Sequence, residues 1–239
     1  MKGYCYPFPK ADVTVDCVVF GLDMQDKKLK VLLIERGREG EPYFGYWALP
    51  GGFIEMDEHL GESAARELKE ETGVTLSYLE QLYTFGAPGR DPRGRVVSVA
   101  YMGIVRPENV DVVAADDAAK AQWFPVDNLP DLAFDHKRIL SMAVQRLRGK
   151  LRWQPVGVWL LPETFTLASL HEVYQVILGR EIPLRTFRNR IKTHVDSGVL
   201  VMYNTGLHAQ RGYGRPPFLY SFNNEAYKRL QREGLDFEV

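Results

Sequence analysis

The chain has 239 residues, 45% of them hydrophobic, and a formal net charge of −1, enough apolar material to bury the core of one large domain or two small ones. No apolar run approaches the length of a membrane-spanning helix, which excludes a helical membrane protein. Cys5 and Cys17 are the only cysteines, no Cys/His spacing suggests zinc, and the opening MKGYCYPFPKAD lacks the apolar stretch of a secretion signal, so the cytoplasm is the expected compartment.

In chain order, Val13–Phe20 (VTVDCVVF) is rich in β-branched residues and reads as a buried strand, and Lys30–Glu35 as a second. The polar link Leu22–Lys28 suggests a hairpin between them. Trp47–Gly52 is a short strand broken by Pro50 and two glycines. A helix is expected over Glu58–Thr72, with Asp57 as N-cap and Gly73 as its stop. Val96–Val105 and Ala121–Val126 read as strands, and His136–Leu147 as an amphipathic helix. Mixed strands with few helices predict an α+β or α/β/α sandwich for residues 1–150 rather than a parallel doubly wound sheet.

Residues 151–239 read as a second domain. Trp153–Glu163 is expected to be a linker with a short extended piece. Leu167–Leu178 is a helix capped by Thr166, with Leu167, Leu170, Tyr174 and Ile177 or Leu178 on one face. A turn follows, then a second helix from Pro183 or Leu184 to about Ser197. In it Leu184, Phe187, Ile191 and Val195 form an apolar stripe. Arg185, Arg188, Asn189 and Lys192 fall on the opposite side. Val199–Tyr203 and Phe218–Phe222 read as strands flanking a Gly-rich link that carries Arg211 and Arg215. Helix, turn, helix and a hairpin with a basic tip is a winged helix-turn-helix order. Residues 180–220 hold seven basic and two acidic side chains, a local +5 on a nearly neutral chain. Arg185, Arg188, Asn189 and Lys192 could read a major groove, and Arg211 and Arg215 an adjacent backbone or minor groove. The same pattern also suits a solvated helix in a domain used only for dimerisation.

The stretch Gly52–Val74, GFIEMDEHLGESAARELKEETGV, carries the chemistry. Glu67, Glu70 and Glu71 stand at i, i+3, i+4, which sets three carboxylates on one helical face. Their repulsion would be relieved by a hard divalent cation, Mg²⁺ or Mn²⁺. Arg66 can reach Glu62 or Glu70, and Gly51–Gly52 allows the backbone close to a ligand. Alone, ELKEE would also suit a solvated acidic face. Together with Gly52, Glu58, Arg66, Gly73 and Val74 its Glu67, Leu68, Glu70 and Glu71 give nine defined positions in 23 residues.

Those positions resemble the Nudix box, G-x5-E-x7-R-E-U-x-E-E-x-G-U, throughout. The resemblance implies a Nudix fold, an α/β/α sandwich with a mixed sheet. It also implies Mg²⁺ (or Mn²⁺) ligands at Glu67, Glu70 and Glu71 assisted by Glu58, a catalytic group of Glu70, Glu71 and Arg66, and hydrolysis of a nucleoside diphosphate joined to another moiety. Tyr46–Glu55 and Gly89–Tyr101 look like the ADP-ribose pyrophosphatase branch. With Gly52, this makes Arg36, Trp47, Arg90 and Arg93 candidate ligand contacts. Core packing accounts for Trp47 equally well, and a solvated loop or dimer contact for the two loop arginines.

With FDHKRIL (Phe134–Leu140), the helix Leu167–Leu178, RTFRNRI (Arg185–Ile191) and GRPPFLY (Gly214–Tyr220), the chain from Pro7 to Phe222 resembles the NrtR family of Nudix-related transcriptional regulators. That implies a homodimer whose winged helix holds double-stranded operator DNA as a repressor. ADP-ribose, or a related nucleotide or sugar phosphate, in the Nudix domain would release it. Several members of that family have a degraded box. Here it is intact, so the alternative is a Mg²⁺-dependent ADP-ribose pyrophosphatase whose C-terminal domain serves assembly, or both functions in one chain.

Overall fold

Alternating β-branched and aromatic residues build the first sheet. In the computed structural model, which describes residues 7–106, 118–196, 202–208 and 218–234, the strands are β1 (Asp12–Asp23), β2 (Lys28–Arg36), β3 (Trp47–Ala48), β4 (Gly51–Phe53), β5 (Tyr78–Phe85), β6 (Val96–Ile104) and β7 (Ala118–Pro125). They form a mixed sheet ordered β3-β2-β1-β6-β5, with β4 on β1 and β7 on β2. β1 runs parallel to β6 and antiparallel to β4. The hairpin between β1 and β2 is tightened by Asp23, whose carboxylate accepts from the Gln25 and Asp26 amides.

Both faces of this sheet are buried. On one, Val15, Cys17 and Val19 of β1, Leu32 of β2 and Val99 and Tyr101 of β6 pack with Ala64 and Leu68 of helix α1 (Leu60–Thr72). By strand alternation the other face carries Val18, Phe20, Val31, Leu33, Ala100, Met102 and Ile104, all buried. Helix α2 (His136–Lys150) carries buried Ile139, Leu140 and Ala143, and its first residue, His136, faces Asp16 on that side of β1. The α/β/α layering expected from the sequence is therefore observed.

The described residues divide into two compact units, one holding most of the chain up to Ala143 and the other Val144 onward with the hairpin tip Gly21–Leu29. The second unit contains a 3-10 helix (Val156–Leu160), β8 (Thr164–Phe165), α3 (Leu167–Leu178), α4 (Leu184–Asp196), β9 (Met202–His208), β10 (Phe218–Phe222) and α5 (Asn224–Arg232). Its three strands are ordered β8-β10-β9. Thr166 caps α3 by accepting from Ser169 N, and Gly179 ends it in the left-handed region, φ 64°. The turn between α3 and α4 is held by α3 side chains. Gln175 accepts the Ile182 amide at 3.0 Å and the His171 ring meets the Ile182 carbonyl at 2.6 Å. Phe187 of α4 then packs edge-on to Tyr174 of α3 at 5.2 Å.

Several boundaries differ from expectation. α1 begins at Leu60 rather than Glu58, with His59 instead of Asp57 at its boundary, because the Glu62 carboxylate accepts the His59 amide at 2.9 Å. The β5 strand was not anticipated. Its pairing with β6 shifts register between Gln81 and Tyr83, which breaks the two-residue alternation a reader looks for. Residues 156–160, expected to be extended, wind into a buried 3-10 turn. Gly157 permits this, since a Cβ there would stand 3.2 Å from Tyr174 and Val173. β9 runs further than expected, to His208, while residues 199–201 of the expected strand lie outside the described residues, and α5 was not foreseen. Arg211 and Arg215 lie outside the described residues.

Two glycines in the first unit should respond oppositely to alanine. At Gly51, paired with Asp16 across β4 and β1, a Cβ would lie 2.1 Å from the Val15 carbonyl oxygen at φ 153°. Gly51→Ala is expected to lower unfolding free energy by about 3 kcal/mol. Gly61, in the first turn of α1, has nothing within 4 Å of its Cβ position, so Gly61→Ala should raise stability by about 0.5 kcal/mol. Urea denaturation of both variants checks the contrast.

Candidate functional site

The first half of β1, the β3–β4 turn and α1 line a cavity of about 500 Å³ in the first unit. Gly51 and Gly52 let the chain pass over the α1 carboxylates. Gly51 N donates to Glu71 Oε2 at 2.8 Å, and the Glu67 carboxylate fills the space over Gly52, 2.6 Å from where a Cβ would be. A side chain at Gly52 would displace the Glu67 carboxylate, and one at Gly51 would run into the Val15 carbonyl oxygen. Helical periodicity turns Glu67 and Glu71 into the cavity. Glu70 points outward with a 52% exposed side chain, and Glu58 is not part of the wall.

Arg66 gathers the acids. Its Nε donates to Glu58 at 2.6 Å, and its Nη1 to Glu67 at 2.9 Å and Glu70 at 3.0 Å. Hydrogen bonding to Arg66 and Ser63 holds the Glu58 carboxyl below the usual carboxylate range. Glu67 goes the other way. Burial pushes it up, as do Glu70 and Glu58, against the opposing pull of Arg66. Among the described residues no three Asp, Glu, His or Cys side chains converge closely enough to hold a metal ion. The donor set still fits a hard divalent cation. It is all carboxylate, and Glu67 is a half-buried acid whose charge a cation would stabilise.

The opposite wall is cationic and aromatic. Arg36 donates to Glu41 at 2.8 Å and lies over the Phe134 ring at 4.9 Å. Arg93, held by Asp91 at 2.7 Å, lies over Phe53 at 5.3 Å and Phe134 at 5.6 Å. Burial lowers the Arg36 pKa, and the neighbouring Arg93 charge adds to the effect. Arg90 also reaches the cavity, but its side chain is 4% exposed and engaged by Asp135 at 2.6 Å and Asp16 at 3.3 Å. Trp47 does not line the cavity; it packs edge-on to Phe124 at 4.6 Å, the core-packing alternative.

The floor was not read from the sequence. Asp16, in the middle of β1, is buried, accepts from Ser98 Oγ and faces Arg90 and His136. Burial pushes its carboxyl up, but His136, Ser98 and Arg90 outweigh that and bring it down to about 2. His136 Nδ1 accepts the Leu49 N–H at 2.9 Å, so Nε2 carries the proton and faces Asp16 Oδ1 at 3.4 Å. The available clue was a lone acid inside the apolar run VTVDCVVF, which must be paired wherever it is buried.

In the second unit, Phe187 and Ile191 of α4 are 1% exposed, while Arg185, Arg188, Asn189 and Lys192 are all exposed together with Arg190. The four candidates thus occupy the face away from the core, as the periodicity requires. None of the described helices is long and apolar enough to cross a membrane.

Comparison with known proteins finds a Nudix domain and a winged helix domain in this chain. The NUDIX domain profile matches residues 10–143, and that of the NrtR DNA-binding winged helix domain residues 157–222. The chain is 35% identical over 224 residues to the ADPR responsive transcriptional repressor NtrR of Acinetobacter baylyi, covering 92% of this chain and 85% of that protein. It superposes on Shewanella oneidensis NrtR complexed with a 27mer DNA with a TM-score of 0.77 and 36% identity, over 90% of this chain and 95% of the other. The NUDIX domain of the same Shewanella protein, complexed with ADP ribose, matches at a TM-score of 0.54 and 36% identity, over 59% of this chain and 90% of that one. A Nudix domain and an NrtR winged helix in one chain, matched along nearly their whole length by such a repressor, place this protein in the NrtR family of Nudix-related transcriptional regulators.

Proposed function

We propose that this protein is a transcriptional repressor that binds operator DNA through α4 and the following hairpin and is released when ADP-ribose, or a related nucleotide or sugar phosphate, fills the Nudix cavity. Residues 1–150 form the effector domain and residues 151–239 the DNA-binding domain. The observation that carries the reading is the exposed face of α4. Arg185, Arg188, Asn189 and Lys192 are exposed on one helix of a helix-turn-helix whose turn is pinned by Gln175 and His171. Arg211 and Arg215, outside the described residues, are proposed as further DNA contacts. The protein acts in the cytoplasm as a homodimer, presenting two recognition helices to half-sites about 34–36 Å apart.

The cavity suits a nucleoside diphosphate sugar. Arg36 and Arg93 offer guanidinium donors to phosphate oxygens, and Phe53 and Phe134 offer faces to a planar base. Glu67 and Glu71, with Glu58 and Glu70 beside them, would hold Mg²⁺ or Mn²⁺, which supplies charge neutralisation at the pyrophosphate when bound. Arg66 orients those carboxylates. For release, effector must bind the DNA-free form better than the bound form, since equal affinity shifts nothing.

The decisive experiment is a titration of the protein on its own upstream region with ADP-ribose and Mg²⁺. Retained DNA should be lost as effector rises, and a protein that never retains that DNA at physiological salt would sink the reading. Arg188→Ala should weaken operator binding about tenfold and reduce its salt-dependence slope by about one, while calorimetry with ADP-ribose stays unchanged. A second reading, hydrolysis of the effector, is favoured by the complete box. It predicts AMP from ADP-ribose with Mg²⁺, and a loss of about 100-fold or more in Glu71→Gln. If the wild-type protein forms no AMP, that reading falls and the repressor remains.

A further inference from the structure

The segment Phe134–Asp135–His136 lies outside the Nudix box, yet ties the start of α2 to the cavity. Phe134 adopts a left-handed backbone, φ 52°, which a residue with a bulky side chain takes only at a cost. Its ring lies beneath the Arg36 and Arg93 guanidiniums. Asp135 stands at the N-terminal boundary of α2, where its carbonyl accepts from the Arg138 and Ile139 amides. Its carboxylate receives Arg90 through both Nε and Nη2, the closest contact 2.6 Å. His136 takes the Leu49 amide, one residue before Pro50, and Gly51 after it donates to Glu71. Three consecutive residues thus connect the first turn of one helix to the arginine wall, the cavity floor and the Nudix carboxylates.

The far end of the same helix is fixed as well. α2 runs unbroken for 15 residues, and the division between the two compact units falls within it, after Ala143. In its last turns Leu147 is fully buried, and Arg148 Nε donates to the Ile177 carbonyl in the last turn of α3 at 2.9 Å.

On the reading that the cavity takes an anionic effector, we infer that Asp135 and His136 are positioning residues that pass its occupancy on to α2. Arg90 is the group they share with the ligand. Its guanidinium lines the cavity but is engaged by Asp135 and Asp16, so a phosphate arriving there competes directly with Asp135. Drawing Arg90 toward the ligand releases one tie on the first turn of α2. The His136 link to Leu49 then sets how far that turn can move while the β3–β4 turn stays on Glu71.

The full-length protein, ADP-ribose and an operator duplex suffice for a test. Three constants are measured per variant: ADP-ribose affinity without DNA, operator affinity without effector, and operator affinity at saturating ADP-ribose. The ratio of the last two is the coupling. Asp135→Asn and His136→Phe should keep effector-free operator affinity within about threefold of wild type, while the coupling falls about tenfold, toward one. His136→Gln should keep wild-type coupling, because its amide can still accept from Leu49 and donate to Asp16. Undiminished coupling in both Asp135→Asn and His136→Phe overturns the inference and leaves the effector reading intact. So does a loss of effector-free operator binding in all three variants, which would assign these residues to stability alone. A wild-type protein whose operator affinity ignores ADP-ribose removes the effector reading itself, and the inference with it.

Discussion

A buried carboxylate in the middle of an apolar strand sets the plan of the cavity. Asp16 faces the α2 side of the sheet, where water cannot solvate it, and a buried ion of this kind is tolerated only with partners in good geometry. Three elements supply them: Ser98 from β6, Arg90 from the loop before it and His136 from the start of α2. Removing one partner of such a set typically costs about 3–5 kcal/mol, so the three elements are fixed relative to one another by a single charge. The cavity is therefore preorganised from its floor, and its walls inherit their positions.

The carboxylate side obeys a different balance. Glu67, Glu70 and Glu71 repel one another on one helical face, and Arg66 is hydrogen-bonded to two of them. It cannot satisfy them equally. It holds Glu58 and Glu70 at the rim, whereas burial drives Glu67 upward, toward the neutral form. An inner acid that lacks full compensation is one a divalent cation would stabilise most. The Nudix spacing thus does two things with one helix. It places an arginine to hold the outer acids, and it turns the inner acids toward the double glycine, where the backbone leaves room for a ligand.

Periodicity and turn chemistry made much of this legible. Thr166 and Gly179 bounded α3 correctly, and of the expected α4 stripe Phe187 and Ile191 are buried, whereas Leu184 in the first turn is 38% exposed. The box positions located Gly52, Glu67 and Glu71 at the cavity without any contact information. What stayed hidden depends on contacts distant in sequence. The pairing of Arg90 with Asp135 spans 45 residues, and that of Leu49 with His136 spans 87. No local pattern encodes either. β5 was obscured by its register shift, and the 3-10 turn at 156–160 depends on a close approach of Gly157 to α3, which a linear reading cannot see.

An intact hydrolytic box beside a DNA-binding helix involves no contradiction in physical terms. Sensing needs a ligand whose binding differs between two states of the protein, and hydrolysis needs a transition state bound better than the ligand. Both can draw on the same arginines and carboxylates, because the ground state and the transition state of a pyrophosphate carry charge in the same region. What separates the two functions is time. If the bond is broken more slowly than DNA dissociates, occupancy is read before it ends, and hydrolysis acts as a reset. If it is broken faster, the site responds to flux rather than to concentration. The ratio of those two rates, rather than the presence or absence of the box, decides which signal the winged helix receives.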